Sequence, residues 1–143
     1  MAQEPPRRIA RAVAETARQF GTPDLRVAGT IWWYMNCGNY ALADQRTVID
    51  ELAEVSGASP QALWAIASDD LAKQLLASGN RDAKVESPLL APRFVEVAGR
   101  WFVKRQSCCL IYETPQADLC LSCPKHLPAE RERLLEEFVR RSR

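Results

Sequence analysis

The chain has 143 residues, of which 47% are hydrophobic and 26% charged, so it can bury a core without disulfides or metal. Its net charge of +1 means that bulk electrostatics favour neither nucleic acid nor a membrane surface. No apolar run approaches the roughly 20 residues that span a bilayer, and the N-terminus lacks the order of a secretory signal. We therefore expect a cytoplasmic protein with reduced cysteines and no membrane span.

The first 80 residues have the apolar spacing of helices. The first predicted helix is marked by four apolar residues at that spacing: Ile9, Val13, Ala17 and Phe20. Thr22 is the expected N-cap of a buried helix that runs through Leu42. A short amphipathic helix is predicted from Thr47 to Val55, and a longer one from Ser59 to Gly79, where glycine ends it.

The remaining residues predict a different organisation. The segment from Asp82 to Pro92 carries two prolines and is expected to be a loop. Phe94–Val97 and Arg100–Val103 predict two strands around a tight turn, and a closing helix starts at about Pro128. The predicted fold class is mainly α (α+β), as a single domain over 1–143. Within it we expect a helical part (1–80), a hairpin with a metal-binding segment (93–127) and a C-terminal helix (128–141).

Four cysteines lie close together in the C-terminal third. Cys108 and Cys109 are adjacent, ten residues follow, and Cys120 and Cys123 form a Cys-x-x-Cys turn. A 2Fe-2S cluster held by thiolates needs four of them, two for each iron, and the loop can bring the two pairs together. The sequence does not assign the cysteines to the two irons. The pattern therefore predicts a 2Fe-2S cofactor bound by Cys108, Cys109, Cys120 and Cys123.

Other interpretations of these cysteines remain open. A structural zinc module is chemically feasible, although zinc usually binds two Cys-x(2–4)-Cys turns and a vicinal pair fits that pattern poorly. Disulfides would suit an exported protein. His126 could replace one cysteine, as histidine does in Rieske centres. Cys37 lies far from the motif in the sequence, and we expect it to be a small buried apolar residue.

The residues around the cysteines resemble a known family. Residues 105–112 (Arg-Gln-Ser-Cys-Cys-Leu-Ile-Tyr) and 119–124 (Leu-Cys-Leu-Ser-Cys-Pro) are similar to the C-terminal iron–sulfur signature of the FhuF-like ferric siderophore reductases. The Leu63-Trp64 helix also resembles a Leu-Trp helix that precedes this motif in the family. Family members are commonly longer, with a larger helical N-terminal part that is thought to help hold the siderophore.

The resemblance implies one-electron reduction of a ferric siderophore in the cytoplasm, with an unknown electron donor. Arg100, Lys104 and Arg105 precede the cysteines, and their positive charge would attract an anionic ferric chelate and favour a reduced cluster. They fit a solvated strand face equally well. A non-enzymatic 2Fe-2S electron carrier or redox or iron sensor is the alternative function, and the short chain favours it.

Three further patterns have ordinary structural explanations. The run from Trp32 to Met35 is expected to be helical core, with an aromatic siderophore pocket as the alternative. Asp69-Asp70 is expected to lie on a solvated helix face. Arginines and glutamates alternate after Pro128, which predicts an exposed helix and argues against nucleic-acid binding.

Overall fold

The computed structural model describes residues 6–82, 91–115 and 123–142. It confirms the predicted fold class, mainly α with one antiparallel hairpin. The helices are α1 (Pro6–Phe20), α2 (Leu25–Asn36), α3 (Leu42–Ser56), α4 (Pro60–Ala77) and α5 (Pro128–Arg141), and the strands are β1 (Phe94–Val97) and β2 (Arg100–Val103). Most of the loop predicted from Asp82 to Pro92 lies outside the described residues, as does Cys120.

Both ends of α2 and the start of α3 differ from the prediction. The N-cap of α2 is Asp24, whose carboxylate accepts hydrogen bonds from the backbone N–H groups of Arg26 and Val27. The hydroxyl oxygen of Thr22 instead accepts a hydrogen bond from the backbone N–H of Asp24. The apolar run through Leu42 is not one helix, because α2 ends at Asn36 and a 3-10 turn follows. α3 consequently begins at Leu42, five residues before the predicted start at Thr47.

A buried glutamine stabilises the break between α2 and α3. The side-chain Nε2 of Gln45 donates hydrogen bonds to the carbonyl oxygens of Cys37 (3.2 Å) and Tyr40 (3.3 Å). These carbonyls belong to the turn, so the glutamine satisfies groups that a continuous helix would have paired itself. The sequence does contain a turn signal, Cys37-Gly38-Asn39, but the apolar residues on both sides obscure it.

Helices α1 to α4 pack against one another around one apolar core. Its centre is Trp33, which is fully buried and whose Nε1 donates a 2.9 Å hydrogen bond to the Leu63 carbonyl oxygen of α4. α2 and α3 approach closely at Gly29, where an added Cβ would lie 2.5 Å from Cβ of Ser56. The core residues around Trp33 include Ile9, Val13, Ile49, Leu52, Leu63 and Ile66.

The hairpin connects this helical part to the cysteines. Phe94 pairs with Val103 and Val97 with Arg100, so the turn consists of Ala98 and Gly99, both at positive φ as in a type I′ turn. The ring of Phe102 meets that of Phe138 on α5 edge to face, with centroids 6.3 Å apart. The hairpin therefore packs against the C-terminal helix on the side of Phe102.

Over the described residues, none of the helices combines the length and the apolar character that crossing a bilayer requires. The longest, α4, carries Asp69, Asp70 and Lys73.

Candidate iron–sulfur site

The site begins where the hairpin ends. The backbone N–H of Lys104 donates to the Arg93 carbonyl oxygen at 2.7 Å, which closes the pairing of the two strands. The next residues have no regular secondary structure, and their backbone bonds are made with α4 instead. The N–H groups of Gln106 and Ser107 both donate to the carboxylate of Asp69. This contact fixes the chain immediately before the vicinal cysteines.

Cys108 and Cys123 are brought together by the fold. Their Sγ atoms lie 3.6 Å apart, although 15 residues separate them in the sequence. Cys108 is partly buried, Cys123 is 2% exposed, and Cys109 is 8% exposed. All four cysteines that the structure describes, these three and Cys37, are free thiols.

The distance between these two thiols suits a shared metal. Two sulfurs bound to one tetrahedral metal at about 2.3 Å lie about 3.8 Å apart. The observed 3.6 Å between Cys108 and Cys123 is close to that value. Thiolates are also the donors that iron–sulfur clusters and zinc prefer. The described thiols therefore fit a thiolate-bound metal, and Cys108 and Cys123 fit two ligands of one metal ion.

Cys109 does not join this pair in the structure. Within the described ranges, no group of three or more Cys, His, Asp or Glu side chains is arranged to hold a metal ion. The fourth predicted ligand, Cys120, lies outside the described residues.

The backbone bends directly after the vicinal pair. Leu110 has φ of 67° and ψ of 9°, a left-handed conformation that a bulky side chain rarely adopts. Its side chain is buried against Val27 and Ile31 of α2, and its N–H donates to Sγ of Cys108 at 3.4 Å. Apolar packing therefore stabilises a bend that aims a backbone N–H at a candidate ligand sulfur, the kind of bond that tunes cluster potentials.

The Cys108 thiol is held in an environment that disfavours its charged form. Burial is the main cause that raises the pKa of Cys108 to about 11, and the thiols of Cys123 and Cys109 raise it further. A bound cation removes this penalty, because metal ions stabilise coordinated thiolates. The surroundings of Cys108 are thus unfavourable for a thiolate alone and suit a thiolate bound to a metal.

The three predicted cations do not share one location. Arg100 lies over the rings of Phe102 and Phe138 at the turn end of β2. Arg105, five residues later, lies with its guanidinium 5.5 Å from the Tyr34 ring centroid on α2. Lys104, which lies between them in the sequence, is partly buried. Arg105 is closest in sequence to the cysteines and also lines a cavity that reaches Ser107, the residue before Cys108.

This cavity has a volume of about 550 Å³ and opens between α2, α4 and β2. Its lining includes Tyr34 and Met35, which are 42% and 45% exposed although both are large and mainly apolar. The run from Trp32 to Met35 is therefore divided: Trp33 is core, as expected, whereas Tyr34 and Met35 face the cavity. Ser107, the residue before Cys108, also lines it.

Two other predicted residues are placed outside the thiol pair. Cys37 is 1% exposed in the helical core, and burial raises its pKa to about 12, which agrees with the expected small apolar role. The backbone N–H of His126 donates to the Cys123 carbonyl oxygen in a turn that follows the last cysteine.

Asp69 is the site residue that the sequence did not reveal. The prediction of a solvated face is wrong for it, because Asp69 is only 8% exposed. The sequence signal that could have identified it is a carboxylate at an apolar position of a helix. Such a carboxylate is buried, and a buried carboxylate needs hydrogen-bond donors. Its donors, Gln106 and Ser107, are 37 and 38 residues away, so no local pattern could identify them.

Comparison with known proteins agrees with this geometry. Residues 105–125 match the family model of the FhuF 2Fe-2S C-terminal domain, and the match contains all four clustered cysteines. No curated protein and no solved structure matches the chain. The predicted resemblance is thus confirmed over this segment: the chain is consistent with a member of the FhuF-like family, and the 2Fe-2S domain model that it matches implies a 2Fe-2S cluster as cofactor.

Proposed function

We propose that this protein reduces ferric siderophores by one electron through a 2Fe-2S cluster, in the cytoplasm, and so releases Fe(II). The observation that supports this most is the cysteine segment, which matches the FhuF 2Fe-2S domain and brings Cys108 and Cys123 to 3.6 Å. The electron donor is a separate reductant. The cytoplasm suits the proposal because its reducing conditions keep cysteines available as ligands.

The proposed ligands are Cys108, Cys109, Cys120 and Cys123. When bound, the cluster supplies a one-electron redox couple. The chain contributes four thiolates, the Leu110 N–H that donates to Sγ of Cys108, and a partly buried setting that limits access of water. Cys37 is not part of the set, because it belongs to the helical core.

The chemistry of release follows from the preferences of iron. Siderophores hold iron through hard oxygen donors, which bind Fe(III) far better than Fe(II). One electron delivered to the chelate therefore weakens its hold on the metal without breaking a covalent bond of the chelator. The protein needs a place for the chelate near the cysteines and does not need an acid or base for this reaction.

The 550 Å³ cavity beside Ser107 is the proposed place for the chelate. Its volume falls within the usual range of small-molecule sites, about 300 to 1,000 Å³. Tyr34, Met35 and Phe102 supply apolar and aromatic surface, and the charged lining consists of Lys73 and Arg105 together with Asp69 and Asp70. Of the three cations predicted from the sequence, Arg105 is the one that lines this cavity and could contact an anionic chelate there.

The test is a single-turnover reaction without oxygen. The purified protein is first assayed for iron, acid-labile sulfide and zinc, then reduced chemically and mixed with several ferric siderophores. We expect reoxidation of the cluster, seen in its visible spectrum, with one Fe(II) trapped by a ferrous chelator for each electron lost. Cys123→Ser, which lacks a proposed ligand, is the control for direct reduction by residual reductant.

Two results would contradict the proposed function, and a third would contradict the proposed binding place of the chelate. A colourless protein loaded with zinc would favour the structural zinc module. A 2Fe-2S protein that is reoxidised by a small inorganic oxidant but by none of the chelates would favour the electron carrier or sensor. Reoxidation that is unchanged in Arg105→Gln and Tyr34→Ala would support the reductase activity and show that the chelate does not bind in this cavity.

A further inference from the structure

The carboxylate of Asp69 lies where the third turn of α4 meets the segment before the cysteines. Its neighbour Asp70 is partly exposed, and its Oδ2 accepts a 2.7 Å hydrogen bond from Gln74 one turn along the same helix. Asp69 instead points away from its own helix toward residues 106 and 107. A buried carboxylate is costly unless donors surround it, so its position needs a physical reason.

The donors come entirely from the segment that leads to Cys108. The N–H of Gln106 lies 3.0 Å from Oδ1 and 2.9 Å from Oδ2 of Asp69. The N–H of Ser107 donates to Oδ2 at 2.9 Å, and the Ser107 hydroxyl donates to the same oxygen at 2.6 Å. Hydrogen bonds to an ionised carboxylate are roughly twice as strong as neutral ones, so this is a firm anchor for an irregular segment.

The anchor acts on the cysteines from one side while Leu110 acts from the other. Asp69 holds the two residues before Cys108, and the buried side chain of Leu110 holds the residue after Cys109. The pair is thereby fixed at both ends, which sets the direction in which Sγ of Cys108 approaches Cys123. The carboxylate also places a negative charge beside the backbone of Ser107, one residue before Cys108.

We propose that Asp69 is a positioning residue of the iron–sulfur site. Asp69 holds Gln106 and Ser107 so that Cys108 meets Cys123, and the negative charge of Asp69 lowers the reduction potential of the cluster. Reduction adds an electron to the cluster, and a nearby carboxylate disfavours that addition. This inference rests on the ligand set proposed above but needs no siderophore, so it stands or falls separately from the reductase activity.

The experiment compares Asp69→Asn with Asp70→Asn in the full-length, cluster-loaded protein. Asp70→Asn removes the same charge from the next residue of α4, whose Oδ2 accepts a hydrogen bond from Gln74. Two quantities are measured without oxygen: the midpoint potential by redox titration, and the rate at which an iron chelator removes iron. The cluster's electron paramagnetic resonance spectrum reports on ligand geometry.

For Asp69→Asn we expect a midpoint potential above that of the wild type and iron loss about tenfold faster, because a charge-assisted anchor is weakened. Asp70→Asn should shift the potential much less and leave iron loss close to wild type. Equal effects of the two substitutions on both quantities would overturn the proposal. Faster iron loss at an unchanged potential would overturn the electrostatic part and leave only the anchor.

Ser107→Ala keeps the proposal testable if Asp69→Asn fails to fold. This change removes the 2.6 Å hydroxyl bond but keeps the carboxylate charge and both backbone N–H donors. We expect faster iron loss with a smaller potential change than for Asp69→Asn, and rescue of iron retention by Ser107→Thr, which restores a hydroxyl. Iron loss in Ser107→Ala that equals the wild type would show that the anchor does not hold the ligands.

Discussion

The helical part and the cysteine segment of this protein are stabilised in different ways. Helices α1 to α4 enclose fully buried side chains, among them Trp33, Ile49 and Leu63, and their backbone bonds are satisfied within each helix. Residues 104–115 have only a short 3-10 turn and depend on the Asp69 carboxylate, on Leu110 and on the Arg26–Glu113 ion pair at 3.3 Å. We therefore expect the first part to fold without metal and the second to be completed by one.

This difference separates two kinds of disruption. Loss of a ligand should affect the cysteine segment and leave the helices folded, because the apolar core does not include the thiol pair. Loss of a core side chain should destabilise the whole chain, since the segment is anchored to α2 and α4. Regions with few buried contacts open at a lower free energy than a packed core. Each substitution below is chosen to act on one part.

The largest expected effect is the loss of the cluster in Cys123→Ser. Its Sγ lies 3.6 Å from that of Cys108, and a serine oxygen is a poor replacement for a thiolate on iron. We expect the visible absorbance and acid-labile sulfide to disappear, while the far-ultraviolet circular dichroism retains its helical signal. Cys120→Ser should behave in the same way.

Cys37→Ser is the matched control for this prediction. Cys37 is 1% exposed within the helical core, so a hydroxyl there costs about 1 kcal/mol or more of folding free energy and leaves the cluster intact. Cluster retention in Cys123→Ser, or cluster loss in Cys37→Ser, would contradict the assignment of Cys123 to the cluster and of Cys37 to the helical core. Loss of helical signal in Cys123→Ser would show that the helices depend on the metal.

A second prediction concerns which thiols share an iron. Replacing both ligands of one iron by histidine gives a Rieske-type centre, with a potential of about −150 to +300 mV instead of about −400 mV. Because Cys108 and Cys123 are close enough to share one iron, we expect this change in the double variant Cys108→His, Cys123→His. Redox titration and electron paramagnetic resonance measure it.

The comparison variant is Cys108→His combined with Cys109→His. If Cys108 and Cys123 share an iron, this pair puts one histidine on each iron, and the spectrum should not be of the Rieske type. A Rieske-type spectrum from this pair, and not from Cys108 with Cys123, would mean that the vicinal cysteines share an iron. The short distance in the structure would then not reflect the loaded site.

The sequence predicted the helical part better than the cysteine segment for a physical reason. Helix periodicity and the Ala98-Gly99 turn are local signals, and they located α1, α4, α5 and the hairpin. The cysteine spacing likewise indicated the cofactor. The role of Asp69 and the closeness of Cys108 to Cys123 come from tertiary contacts across 38 and 15 residues, which no periodicity encodes.

The same reasoning explains the errors within the helical part. A dense apolar run concealed the turn at Cys37–Asn39, because periodicity alone does not distinguish one buried helix from two. The bond from buried Gln45 to that turn is again a contact between separate elements. Sequence patterns thus indicate which secondary structure each segment prefers, and the polar contacts between segments decide where each helix ends.

A third prediction tests the core of the helical part. Leu63 on α4 is fully buried, and Leu63→Ala should lower the free energy of unfolding by about 3 kcal/mol, from lost apolar contact and the cavity left behind. Denaturant unfolding of the cluster-loaded protein measures it, and the spectrum of the folded protein should be unchanged. Leu42→Ala is the control, because Leu42 is 44% exposed and should cost less than about 1 kcal/mol. Equal losses would contradict a core centred on Trp33 and Leu63.

The smallest expected effect is at the hairpin that joins the two parts. Ala98 has φ of 52°, a conformation that costs an alanine about 1 kcal/mol and that asparagine tolerates well. Ala98→Asn produces the Asn-Gly pair favoured in type I′ turns and should raise the free energy of unfolding by about 0.5 to 1 kcal/mol. Gly99→Ala, at φ of 81°, should lower it by a similar or larger amount. If the hairpin merely connects the two parts, neither change alters iron loss. If iron loss slows in the first variant and accelerates in the second, the hairpin shares with Asp69 the task of holding the cysteines in place.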